Sequence, residues 1–453
     1  MIGRSMLFAA AIAIPGTAQP VPDAIKTVLT DELRGTNTPG AAIAVVRDGN
    51  LVAVDAAGVA NVESSTLVTA QTLFHVGSLT KLMTAAALLD YARSGKVDLQ
   101  KPIGSYLTGL SPALARVTLH ELLSQSSGLA DSAPATGPQA ESALAAYART
   151  LGEKDFIAAP GRVFSYSNSG YSVAGAVLES VAKKPYADAM ADLFARAGMR
   201  DATFRPTMAM SHPLAVGHVV EDGRAKVVRP FSNDTRFWPA GYAYASITDL
   251  GHLLLFLLTD PASPLPMMTT RNVPIHSNVI PGASYGYGLF VRDVGGTLVA
   301  EHGGTMPGLS CETRLVPSGK SGVIVCANRD NARFRRTLDA AVESFGVVAS
   351  NTPPATADIP LTARDLAVLP GSYSNRWTID IERRGEQLFL KQNGTEAEIR
   401  KTAENRFQVN PRPGITQEFA IMTRDDGTPE LLQMFVWAFK RVSGAGSTPA
   451  PPH

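Results

Sequence analysis

Strand-like and helical stretches follow one another along the first 345 residues in an order that few architectures accept. Short apolar runs at residues 41–46, 51–56 and 58–60 open the region, the first two joined by the hairpin turn Arg47-Asp48-Gly49-Asn50. Helical segments fill its middle. Strand-like runs at 289–291, 298–300, 312–316 and 322–327, separated by Gly- or Pro-containing turns, close it. Strands from both ends of one region that share a core predict an antiparallel sheet flanked by helices, an α/β (α+β) arrangement with an all-α subregion.

Among the helical segments, residues 78–93 carry Leu79, Leu82, Met83, Ala85, Ala86, Ala87, Leu88 and Leu89 on nearly every side. Such a helix is buried on most faces, and Gly95 ends it. Thr118-Leu119-His120-Glu121 reads as a capping box opening a helix that Gly128 closes, and Ser246-Ile247-Thr248-Asp249 opens another that stops before Pro261. Residues 351–360 have the composition of a linker. After them, strand candidates at 371–374, 378–383, 387–391, 406–409, 417–422 and 431–436 predict a small all-β, barrel-like domain. The resulting division is a signal segment at 1–18, a main domain at 19–350, a linker at 351–360, a β-domain at 361–442 and a frayed tail at 443–453.

Lys and Arg total 41 against 40 for Asp and Glu, a balance without the basic surface that nucleic acid or an anionic bilayer selects. With 45% apolar residues the chain has ample material for a packed core, which excludes wholesale disorder. Arg4, the apolar run at 6–14 and the small residues up to Ala18 have the layout of an export signal, so the expected location is periplasmic or secreted. The run is too short to span a membrane, which takes about twenty residues, so no stable membrane insertion is expected. Cys311 and Cys326 would lie nearly opposite each other in a hairpin; because a cross-strand bond strains flat strands, two buried free thiols are expected.

Three local patterns bear on chemistry. In Gly77-Ser78-Leu79-Thr80-Lys81 the amine falls one helical turn after the hydroxyl, on the same face. Burial lowers a lysine pKa toward the point where it accepts a proton from a serine, and a helix N-terminus supplies free backbone N–H groups. A Ser helix cap followed by a surface Lys is the plainer alternative. In Tyr166-Ser167-Asn168 a phenol and an amide point to one side of an extended segment, a proton relay and a hydrogen-bonding group; a Ser/Asn loop with Tyr on the surface is the alternative. In His302-Gly303-Gly304-Thr305 two glycines permit close backbone approach, and the Thr305 and Ser78 N–H groups can form an oxyanion hole; a glycine turn with a solvent-facing His is the alternative.

The three patterns in this order, with about 85 residues from Lys81 to Tyr166, resemble the penicillin-recognising serine hydrolases. The branch most similar holds class C β-lactamases, D-aminopeptidases and β-lactamase-fold esterases. Phe74-His75-Val76-Gly77, the stretch from Leu119 to Leu129, Pro160-Gly161, Pro239-Ala240-Gly241 and Tyr285-Gly286-Tyr287-Gly288-Leu289 fit the same resemblance, which covers roughly residues 22–345. It implies a β-lactamase-like fold with Ser78 as acylated nucleophile, Lys81 as its base, Tyr166 as partner base and relay, and Asn168 holding Lys81 and substrate. The choice of base between Lys81 and Tyr166 stays open. His302 stands where β-lactamases of this type carry lysine, and the neutral imidazole is poorly suited to a substrate carboxylate. The implied activity is peptidase or amidase action on small or unusual peptides (D-residue, cyclic-derived or peptidoglycan-derived). Esterase action, weak β-lactamase action and a non-catalytic binding or sensor module remain alternatives. The C-terminal domain, through Leu369-Pro370-Gly371-Ser372-Tyr373, is similar to a lipocalin-type β-domain.

The remaining patterns are plainer. Gly282-Ala283-Ser284-Tyr285-Gly286 fits a Gly-x-Ser-x-Gly elbow but lacks the strand before and helix after it that the elbow needs. No metal or nucleotide motif is present in the sequence, and no cofactor is expected. His75, His120, His212, His218, His252 and His276 are scattered and read as structural. Phe237, Trp238, Tyr242 and Tyr244 either line an acyl pocket or pack the core.

Overall fold

The computed structural model describes residues 23–132, 134, 136–276, 280–347 and 358–442. The expected signal segment and tail lie outside the described residues, as does most of the expected linker. Nine strands form one antiparallel sheet in the order Thr66–Leu67, Asn50–Asn61, Gly40–Arg47, Ser321–Ala327, Leu309–Val316, Thr297–Met306, Phe290–Val294, Ser284–Tyr285, Val273–Pro274. Ala41 pairs with Ala327 and Val46 with Gly322, so the first long strand of the chain closes against the last of this region. The Asp48-Gly49 turn has positive φ at both residues, the geometry that twists a two-residue hairpin correctly.

Strand Gly40–Arg47 is apolar at consecutive positions because both of its faces are covered. Ala41, Ile43 and Val45 pack with Ile25 and Leu29 from the helix Asp23–Gly35, with Leu338 from the helix Arg335–Ser344 and with Phe334 just before it. Ala42, Ala44 and Val46 face the opposite core with helix Ile247–Thr259. The capping box at Ser246 and Asp249 opens that helix as expected. Helix Thr80–Arg93 runs through the larger core with every residue from Thr80 to Leu89 buried. The helix after Thr118 is shorter than expected: it spans Leu119–Leu123, and Gln125 turns out of it at φ +60°, well before Gly128.

Eight strands from Gly371–Ser374 to Trp437–Val442 form a closed antiparallel barrel, each pairing with its sequence neighbour and the last with the first. Two of them, Thr395–Ala403 and Trp437–Val442, are not among the expected strands. The first alternates Ala397, Ile399 and Lys401 inward with Glu396, Glu398 and Arg400 outward, so its composition reads as polar. The second follows a turn with no Gly, Asn or Pro, in which Phe435 adopts φ +55°.

Cys311 and Cys326 are not free thiols, contrary to expectation. They are directly paired across the strands Leu309–Val316 and Ser321–Ala327 with Cα atoms 4.1 Å apart, and they form a disulfide. That close spacing is characteristic of the non-hydrogen-bonded positions of an antiparallel pair, where opposed side chains meet.

Candidate active site

Ser78 sits in the single 3-10 turn Gly77–Leu79 that leads into helix Thr80–Arg93. Gly77 has φ +58°, and a Cβ there would lie 2.5 Å from the Thr305 backbone nitrogen. A Cβ on Gly304 would lie 2.0 Å from the Val76 carbonyl oxygen and 2.9 Å from the Ser78 nitrogen. The strand Thr297–Met306 therefore lies directly against the turn that presents Ser78, and neither glycine admits a side chain. His302, Gly303, Gly304 and Thr305 are strand residues, not the glycine turn that was the alternative reading.

Lys81 is fully buried one helical turn after Ser78. Its Nζ lies 3.1 Å from Ser78 Oγ, 2.6 Å from Asn168 Oδ1 and 2.6 Å from the Ala240 carbonyl oxygen. Amide and carbonyl oxygens only accept, so they take two N–H groups of the amine. The third direction of the nitrogen faces the serine hydroxyl, as a hydrogen in the ammonium and as a lone pair in the amine. Burial pushes Lys81 down to about 7, against an opposing pull from the Asp131 carboxylate.

The face of the Tyr166 ring is turned to Lys81 Nζ, 4.6 Å from ring centre to nitrogen. Burial raises its phenol well above the ordinary tyrosine value, and the neighbouring Tyr285 adds to this while Ser78 opposes it. Ser167 caps helix Asn168–Ala182 by accepting from the Gly170 N–H at 3.1 Å, which places Asn168 at the first helical position. Gln125 holds the same segment, its carbonyl accepting from Ser165 N–H and its side chain from Ser167 N–H, each at 2.8 Å.

His302 is buried, not solvent-facing. Its Nδ1 donates to the Gly303 carbonyl at 2.6 Å, which leaves Nε2 to accept from the Tyr285 hydroxyl at 3.2 Å. Burial first, then the Lys81 charge, push this imidazole down to about 3, so it is neutral at physiological pH.

All the candidate residues thus converge on one place: Ser78, Tyr166 and Asn168 are half-buried at its mouth, with Lys81 beneath them. Ser284 does not join them as an elbow; it begins the two-residue strand Ser284–Tyr285, paired with Phe290–Val294. Phe237, Trp238, Tyr242 and Tyr244 are buried core residues. Three participants were not among the expected site residues: the Ala240 carbonyl and Tyr285, which lay only in the accompanying stretches Pro239-Ala240-Gly241 and Tyr285-Gly286-Tyr287-Gly288-Leu289, and Asp131, which lay in no motif. Asp131 Oδ1 accepts from both the backbone N–H and Nδ2 of Asn168, each at 2.9 Å.

The barrel borders this site. The Tyr166 N–H donates to the Val436 carbonyl at 2.8 Å, the Ala438 N–H to Ser165 Oγ at 3.1 Å, and Gln433 Nε2 to the Phe164 carbonyl at 2.8 Å.

The β-lactamase family model matches residues 25–346. Protein flp of Staphylococcus aureus strain MW2 is 25% identical over 315 residues, covering 67% of this chain and 62% of flp. The chain thus spans less than two thirds of that relative's length. Penicillin-binding protein 4 of Amycolatopsis lactamdurans is 25% identical over 357 residues, covering 74% of this chain and 93% of that protein. Among solved structures, SurE aligns with a TM-score of 0.76 and 25% identity over 93% of this chain and 98% of its own. The family match extends over the whole sheet-and-helix region that assembles Ser78, Lys81, Tyr166 and His302, and the chain belongs to the β-lactamase family.

Proposed function

We propose that this protein is a serine hydrolase working through an acyl-enzyme on Ser78, with amides of small or unusual peptides as its preferred substrates. The observation that carries the reading is the Lys81 amine, buried beneath Ser78 with two of its hydrogens taken by Asn168 and Ala240. In this reading Lys81 takes the Ser78 proton as Oγ bonds to the substrate carbonyl carbon. The opposite displacements of Lys81 and Tyr166 support Lys81 as the base. The backbone N–H groups of Ser78 and Thr305 hold the oxyanion. As the carbon–nitrogen bond breaks, the neutral Tyr166 phenol gives its proton to the leaving amine and recovers one from the Lys81 ammonium. Water then attacks the ester and frees the acid and Ser78.

The neutral His302 supports a substrate other than a penicillin, whose carboxylate calls for a fixed cation at this position. The D-residue preference draws support from SurE, which has also been solved with D-Leu and is 25% identical to this chain. Export to an oxidising compartment belongs to the same proposal, supported by the Cys311–Cys326 disulfide and by Arg4 with the apolar run after it.

A serine-directed fluorophosphonate is expected to label the protein, and Ser78→Ala to abolish labelling while Ser284→Ala retains it. In a turnover panel, D-amino-acid p-nitroanilides are expected to exceed nitrocefin and p-nitrophenyl butyrate. Turnover of the ester alone would overturn the amide preference, and no labelling of the folded protein would overturn the enzyme reading.

A further inference from the structure

Asp131 lies outside every sequence motif, yet its carboxylate joins the two domains at the site. Its side chain is fully buried. A carboxylate withdrawn from water is tolerated when donors satisfy its oxygens, and Asp131 has them on both. Oδ1 accepts the two bonds from Asn168. Oδ2 accepts from the Arg376 guanidinium at 3.0 Å and from Trp437 Nε1 at 3.2 Å. Both of those donors belong to the barrel. Arg376 lies between the strands Gly371–Ser374 and Thr378–Arg384, and Trp437 begins the last strand. The guanidinium carbon is also 5.5 Å from the Trp437 ring centre, so the two donors brace each other.

Two consequences reach Lys81. With Nδ2 of Asn168 committed to Asp131, Oδ1 is turned toward the amine, the orientation in which an amide accepts. A flipped amide would set NH2 against the amine. The second consequence is electrostatic: the negative charge of Asp131 favours the ammonium form of Lys81, and Arg376 on its far side offsets that charge.

We propose that Asp131 is a positioning residue for the Ser78–Lys81 pair, and that the barrel completes the site by holding and neutralising it through Arg376 and Trp437. The proposal rests on the acyl-enzyme reading above. The groups facing Lys81 are Asp131 on its loop, Tyr166 and Tyr171 on the segment and helix beside it, and His302 on the sheet, with Tyr285 behind Tyr166. Burial raises the three phenols and lowers the imidazole, away from neutrality in both directions, while it brings Lys81 down to about 7.

The test is the rate of fluorophosphonate labelling of the full chain from pH 5 to 9, with thermal melts to check folding. Arg376→Met is expected to move the acid limb of the profile upward by about half a pH unit or more, because the Asp131 charge is then uncompensated. Arg376→Lys is expected to restore the wild-type midpoint. Asp131→Asn is expected to move the limb downward and to lower the plateau about tenfold, since the Asn168 amide loses its anchor. A merely structural role would reduce the amount of active protein without moving the midpoint. An unchanged midpoint in labelled Arg376→Met, or a shift of both variants in the same direction, overturns the proposal. The Arg376 arm decides alone if Asp131→Asn does not fold. Failure of the folded wild type to label overturns the acyl-enzyme reading instead, and this proposal with it.

Discussion

Burying an amine among apolar side chains weakens its hold on a proton, and at Lys81 the same burial that would serve catalysis opposes folding. Its pKa of about 7 in the folded protein lies below the ordinary 10.5, so between those values the unfolded chain binds the extra proton. Stability contributed through this group therefore rises with pH from about 7 to 10.5, and the penalty is complete below 7. Lys81→Met is expected to abolish labelling yet stabilise the fold by on the order of 2 kcal/mol at pH 6. The gain falls short of the full shift because Asn168 Oδ1 and the Ala240 carbonyl lose their donor. Melting curves at pH 6 and 9 check this, with the smaller gain at pH 9. In the wild type, labelling is expected to rise through pH 7 as the amine loses its proton. Ser78, Lys81, Tyr166, Asn168 and His302 were legible because their three short patterns, each ambiguous alone, occur together in the order that carries the resemblance to the penicillin-recognising serine hydrolases. Asp131 was not, since a lone acid after Leu129 has no local partner and gains its meaning from Asn168, Arg376 and Trp437.

At the scale of elements, the two glycines of the third pattern separate. A Cβ on Gly304 meets backbone at 2.0 Å, whereas one on Gly303 meets nothing nearer than the Arg333 side chain at 3.6 Å. Gly304→Ala is expected to push the strand off the Ser78 turn and lower the labelling rate by about a hundredfold or more. Gly303→Ala is expected to keep the melting temperature within about 2 °C of the wild type. Comparing melts and labelling of the two variants checks both statements. Helix boundaries were legible where capping chemistry marked them, as at Ser246 and Asp249. They were not where the chain left a helix through a non-glycine residue, as at Gln125. The missed strands have the same origin. Glu396, Glu398 and Arg400 face outward on a strand whose inner face is closed by the barrel, and the turn at Phe435 carries none of the residues that usually announce one.

At the scale of the whole molecule, the barrel is fastened to the segment that carries Tyr166. Gln433 is fully buried, donating to the Phe164 carbonyl at 2.8 Å and accepting from the His276 N–H at 3.0 Å. Gln433→Leu leaves both backbone groups without that partner and is expected to cost about 2–4 kcal/mol. Urea unfolding checks the cost, and limited proteolysis is expected to cut near the junction of the two domains more readily than in the wild type. Ile157, Ala158 and Val163 also pack against Leu431 and Ala438, so the contact is apolar as well as hydrogen-bonded.

The sequence by itself determined the sheet built from both ends of the main domain, the buried helix, the presence of a β-domain and the residues that meet around Ser78. The first three follow from periodicity, capping and turn residues, which are local properties of a chain, and the last from the resemblance that the three patterns carry in their order. Only the tertiary structure decided that Cys311 and Cys326 are joined, that His302 is buried on a strand, and that the barrel reaches Asn168 through Asp131. Those outcomes depend on register across strands and on distances between residues far apart in the chain. Asp131 and Trp437 are separated by 306 positions, and no local pattern encodes the 3.2 Å between them.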